Sequence, residues 1–182
     1  MNQAQQIFGE PAERPKQKVR PFMVEWIQDF IKHSPFAVLA TADTNGGCDA
    51  SPKGGYPGFI KVLDDKHLLI PDVAGNKLFQ SYENIETNPN VGLVFFIPGI
   101  TATCRVNGHV RVIRKSDEEF EQLKLEVFNP DEKAKVLQAL LLTVDESYSH
   151  CPRALGFSRL WDTEVIESNI TDSPISKWVP GT

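Results

Sequence analysis

Hydrophobic and polar positions divide the chain into short, distinct runs. Phe22, Met23, Trp26, Ile27, Phe30 and Ile31 recur at helical spacing with Glu25, Gln28, Asp29 and Lys32 between them. This predicts an amphipathic helix that Pro35 ends. Short strand-like runs follow, FAVLATA, CDASP, GFIKVL and HLLIP, separated by Asp43 to Gly47 and by Asp64-Asp65. The pattern is that of a β-meander. Leu78, Phe79, Tyr82 and Ile85 predict a helix over 75–87, stopped by Asn88-Pro89. VGLVFFI reads as a buried strand, and Pro98-Gly99 as the turn after it.

From Thr101 to Val112 the alternation is regular. Ala102, Cys104, Val106, Val110 and Val112 share one face, and Thr101, Thr103, Arg105, Asn107, His109 and Arg111 the other. Ser116 to Glu119 has the form of a capping box opening a helix to about Val127. LQALLLTVDE fits helix or strand by periodicity, and its place after five or six strands makes it the expected closing strand. SYSHCPRAL predicts a short helix and GFSRLWD an extended tail. Residues 1 to 18 are polar and Pro-rich and read as a flexible N-terminal arm before one domain. The resulting class is mainly β with peripheral helices, six or seven antiparallel strands curling into a small barrel to hide their edges.

Composition narrows the function. Hydrophobic residues make up 41% and charged residues 24%, the balance of a soluble globular domain. A net charge of −5 with no basic tract argues against nucleic acid as a partner. No apolar run is long enough to span a bilayer, and the N-terminus has no signal-peptide core, so no membrane association and a cytoplasmic location are expected. Cys48, Cys104 and Cys151 are widely spaced and read as small buried hydrophobes. His33, His67, His109 and His150 never fall at metal-ligand spacing with a carboxylate. Nucleophile-elbow, Rossmann and P-loop fingerprints are absent.

What remains is a set of cations and amides near strand and helix ends. In Gly75-Asn76-Lys77 the glycine frees the backbone, Asn76 can cap and Lys77 adds charge at a helix start, where an anion is favoured. Helix capping beside a solvated lysine accounts for the same residues. Lys53 stands in a Pro-Gly turn and Arg105 on the polar face of the long strand, positions where either can simply be solvated.

The motifs SPKG (Ser51 to Gly54), PGF (Pro57 to Phe59), IPD (Ile70 to Asp72), Gly75-Asn76, Asn84-Ile85, Asn88-Pro89, VGL (Val91 to Leu93), Pro98-Gly99, RVNG (Arg105 to Gly108) and Leu160-Trp161 recur in one order over roughly residues 20 to 162. In these the sequence resembles the pyridoxamine 5'-phosphate oxidase-like, FMN-binding split-barrel family, in its branch of FMN-dependent enzymes. The resemblance implies a single domain over 19–182, a six-stranded antiparallel split β-barrel, forming a homodimer with FMN at the subunit interface. It implies cofactor-binding roles for Ser51, Pro52, Lys53, Pro71, Asp72, Asn76, Lys77, Ser81, Arg105 and Trp161. FMN offers a phosphate dianion that needs cations and amides, and a flat ring that needs backbone hydrogen bonds at its edge.

Two departures shape the functional expectation. The oxidase's Ser-Arg-Lys phosphate signature has no counterpart, because GNK lies about a helical turn earlier and FQS stands in its place. Its C-terminal arginine-and-tryptophan substrate signature is missing from FSRLWDTEVIES, so pyridoxamine phosphate is not the expected substrate. Arg159 and Trp161 either line the cleft or pack on the partner. The expected activity is hydride transfer between a small organic substrate and the flavin N5, with no general acid or base identified. The alternatives are a non-catalytic flavin or haem carrier, with His109 and His150 as candidate axial ligands, and a deazaflavin F420 enzyme, whose acidic tail would need more basic residues than this groove offers.

Overall fold

The computed structural model describes residues 2–10, 12–73, 78–123 and 136–175. Short helices α1 (Gln3–Phe8) and α2 (Glu13–Lys16) precede the amphipathic helix α3 (Glu25–His33). Strands β1 (Phe36–Ala42), β2 (Cys48–Gly54), β3 (Lys61–Val62) and β4 (His67–Val73) follow, then helix α4 (Gln80–Thr87). Strands β5 (Asn90–Phe96), β6 (Thr103–Arg114) and β7 (Val136–His150) complete the sheet, and helices α5 (Arg153–Ser158) and α6 (Thr163–Thr171) come after it.

All strand pairs are antiparallel, in the order β2-β1-β5-β6-β7-β4-β3. Among the described residues the strand count is seven, and β2 and β3 are the two edges of an open sheet instead of closing a six-stranded barrel. In a flat sheet β2 and β4, five positions apart, would lie about 24 Å from one another. Residues of both line one cleft, so the sheet curls until these two strands approach.

Register assigns every side chain to one of two faces, because neighbours in a ladder row point the same way. One row runs Lys53, Ala37, Phe95, Cys104, and the next inward row runs Ser51, Leu39, Leu93, Val106, Ser147. These rows face the core, where Met23, just ahead of α3, packs with Ile27 and Ile31 of that helix. Rows of opposite parity, such as Pro52, Val38, Val94, Arg105, Tyr148, form the outer face. Leu69, Ile113 and Ala139 also point outward, and there Phe120 and Leu123 of a 3-10 helix (Phe120–Leu123) cover them. The lead into α3 is strapped to β7: Arg20 and Ser147 exchange backbone hydrogen bonds of 3.0 and 2.8 Å, and Ser147 Oγ donates to the Phe22 carbonyl at 2.6 Å.

Several local expectations change. The N-terminal stretch read as an arm includes two short helices, α1 opened by a reciprocal Asn2–Gln5 capping box. Trp26 leaves the α3 stripe and stays 46% exposed. β2 runs on through Lys53 and Gly54, so Lys53 is a strand residue and not a turn residue. GFIKVL keeps strand pairing only at Lys61 and Val62. No capping box forms at Ser116, because Glu119 is bound by the Arg111 guanidinium; the expected stretch 124–127 lies outside the described residues. Residues 147–150 stay in β7, with His150 opposite Thr103, so the helix begins only at Arg153. In place of an extended tail, Asp162 accepts from the Glu164 and Val165 amides and caps α6.

Gly108 sits at the register shift between β6 and β7. A Cβ built there would stand 2.1 Å from the Thr143 carbonyl oxygen, a backbone atom that cannot rotate away. Gly108→Ala is therefore expected to cost at least about 2 kcal/mol of stability, read as a lower urea midpoint. An unchanged midpoint would contradict this packing.

Candidate functional site

The curl that brings β2 towards β4 leaves a cleft of about 410 Å³ between them, walled by the start of α4. Asp49, Ser51 and Lys53 reach it from one face of β2, as two-residue alternation requires. Asp72 and Val73 reach it from the end of β4, and Leu78 to Tyr82 from the α4 side. Leu78 and Phe79 are exposed apolar walls, with the Phe79 ring edge-on to Tyr82 at 6.2 Å. As an edge strand, β2 also presents unpaired backbone donors and acceptors, which suits the rim of a flat polar heterocycle.

The electrostatics are mixed. Asp49 and Asp72 bring negative charge, and Lys53 is the basic side chain among the lining residues. No ion pair engages Lys53 among the described residues. Both carboxylates are engaged. Ser81, 5% exposed, donates its hydroxyl to Asp49 Oδ2 at 2.6 Å, and Gln138 Nε2 donates to Asp72 Oδ2 at 3.2 Å. Burial, followed by the neighbouring Asp72 carboxylate, pushes the Tyr82 phenol far up, with Gln138 offsetting part of the effect.

The cleft brings together five of the residues singled out in the sequence: Ser51, Pro52, Lys53, Asp72 and Ser81. Pro71 neighbours it on β4 but points to the opposite face, opposite Ala139. Asn76 and Lys77 lie outside the described residues. Arg105 belongs to the outer row with Val94 and Tyr148, on the other side of the sheet from Lys53. Trp161 is elsewhere too, with its Nε1 donating to the Ile100 carbonyl at 3.0 Å. Of the cysteines, Cys104 is buried, whereas Cys48 and Cys151 are exposed and not the buried hydrophobes expected. His109 pairs with Asp145 at 3.3 Å on the outer face, and His150 ends β7; neither lines the cleft. Among the described residues, no group of three His, Cys, Asp or Glu is placed to hold a metal.

Asp49, Phe79, Tyr82 and Gln138 were not singled out as site residues. Asp49 had a readable signal, since it shares strand parity with Ser51 and Lys53. Tyr82 and Phe79 were hidden by their helical spacing, which looks like core packing. Gln138 joins the group only through the pairing of β4 with β7.

An antiparallel, curled sheet with a ligand-sized cleft at its seam defines the class of protein. The family model for pyridoxamine 5'-phosphate oxidase matches residues 23–151, and the chain belongs to that family. A candidate pyridoxamine 5'-phosphate oxidase from Lactobacillus delbrueckii is 26% identical, with a TM-score of 0.52 over 71% of this chain and 95% of that one. An FMN-binding protein from Syntrophomonas wolfei is 12% identical, with a TM-score of 0.54 over 68% and 83%. HupZ of Group A Streptococcus is 17% identical, with a TM-score of 0.50 over 70% and 93%. The last two share the fold alone. No curated protein matches the sequence.

The Tyr82 environment yields a pH prediction. The folded phenol loses its proton at higher pH than the ordinary value of about 10, so folding favours the protonated form. That stabilisation is complete below about pH 10 and is lost as pH rises through the folded value. While both proteins remain folded, tyrosinate absorbance of the parent and of Tyr82→Phe should rise equally up to about pH 11. A larger rise in the parent would contradict the buried phenol.

Proposed function

We propose that the protein is a homodimeric FMN-dependent oxidoreductase acting on a small organic molecule, built on a split barrel. The observation that carries this reading is the convergence of Ser51, Pro52 and Lys53 on an edge strand with Asp72 and the start of α4 around one cleft. Its volume lies within the usual range for small-molecule sites, about 300–1,000 Å³. The residues fit the cofactor's chemistry. Edge-strand amides suit a polar ring rim, Leu78 and Phe79 offer apolar contact, and Lys53, with no ion-pair partner among the described residues, supplies a cation.

A bound flavin supplies hydride acceptance and donation. The chain's own part is then binding, orientation and exclusion of water. Lys53 would hold positive charge against the cofactor, and Ser51 and Pro52 would floor the site. Leu78 and Phe79 would keep water from one side, and Tyr82 would retain its proton as a neutral neighbour. Support for a dimer comes from the outer sheet face, where Phe36, Val38, Ala40, Ala50, Val94 and Phe96 leave a continuous apolar surface with Phe36 39% exposed. An apolar face of this kind is characteristic of protein–protein contact. No helix among the described residues is long and apolar enough to cross a membrane.

FMN titration of the apoprotein tests the reading. Bound flavin should show bands near about 370 and 450 nm. Lys53→Ala should weaken FMN about tenfold or more, the loss of one charge-assisted hydrogen bond, and Lys53→Arg should recover part of it. Failure to bind FMN, or an unchanged affinity in Lys53→Ala, would overturn the assignment. Binding without turnover of any reductant would leave a flavin carrier in its place.

A further inference from the structure

Two side chains one turn apart on α4 hold a single cross-strand pair. Thr41 and Asp49 are register partners on β1 and β2. Ser81 Oγ donates to Asp49 Oδ2 at 2.6 Å, and Asn84 Nδ2 donates to Thr41 Oγ1 at 2.9 Å. Residues three apart on a helix lie on one face, so the two bonds act as one clasp. The helix needs it. Its first residues have no side-chain cap, and Phe79 just before them takes a left-handed conformation, φ 52°. A carboxylate at a helix start also offsets the partial positive charge of its unpaired amides, and Asp49 holds that position here.

We propose that Ser81 and Asp49 form a positioning latch that fixes the Gln80–Tyr82 wall of the cleft against β2 and thereby sets cofactor affinity, with Ser81 acting through Asp49 and not as a direct ligand. A serine hydroxyl has one proton to give. In Ser81 it is given to Asp49, and the residue is buried. The cofactor arm of this inference rests on the FMN reading above, while the latch itself does not.

Double-mutant analysis separates the roles. If the latch is correct, Ser81→Ala and Asp49→Ala each weaken FMN by about five- to tenfold, the double variant is no weaker than either single, and Ser81→Thr restores binding. If Ser81 serves the ligand directly, Asp49→Ala frees its hydroxyl and removes a negative charge. Unchanged or tighter FMN binding in Asp49→Ala would therefore overturn the proposal. Hydrogen exchange of the cofactor-free protein supplies the independent arm. Amides of Gln80 to Asn84 should exchange several-fold faster in Ser81→Ala, Asp49→Ala and Asn84→Ala, with Cys104 to Val110 unchanged. Unaltered exchange in α4 would sink the latch whatever FMN does. A parent protein that ignores FMN yet shows faster α4 exchange in these variants would remove the cofactor arm and keep the latch.

Discussion

Two-residue alternation, carried in register from β2 through β1 and β5 to β6, is the constraint on which this molecule depends. It places Asp49, Ser51 and Lys53 on the face of the core while Pro52, Val38, Val94 and Arg105 share the other. A slip of one residue would turn the Asp49, Ser51 and Lys53 side chains to the outer face. The hydrogen-bonded rows that build the sheet thus also decide which charges meet the ligand. Curling adds the second requirement, since strands five places apart in the ladder border one cavity only when the sheet bends.

The cleft's chemistry follows from what that bend brings together. Two aspartates in a partly enclosed space would repel one another and oppose an anionic ligand, yet hydrogen-bond donors from α4 and β7 hold them in place. Lys53 meets no such partner among the described residues, and its charge remains available. A site of this kind has little acid–base machinery of its own. It suits a cofactor that carries the electrons and asks of the protein only position and electrostatics.

Much of this was legible in the residues. The α3 stripe, without Trp26, and the alternation of β6 are local signals that hold in the structure, whereas Lys53 moves from turn to strand. The family followed from the order of short motifs, and the chain belongs to it. What the sequence hid was relational. Asp49 and Ser81 are 32 residues apart, and Asp72 and Gln138 are 66 apart. Such pairs arise from strand pairing, which no window of neighbouring residues contains. Glu119 is a nearer case, since Arg111, eight residues before it, holds the carboxylate that a capping box would have used. The tail failed for a more local reason. Asp162 is a helix cap, and its polar neighbours give an extended run and a helix start the same local pattern.

The most direct test of the central claim is a crystal structure of the protein grown with FMN. The account predicts flavin density between the β2 edge and the start of α4, with Lys53 in contact and the Ser81–Asp49 hydrogen bond intact. Flavin lying on another surface of the protein, or in contact with Ser81 after Asp49 has been released, would contradict it.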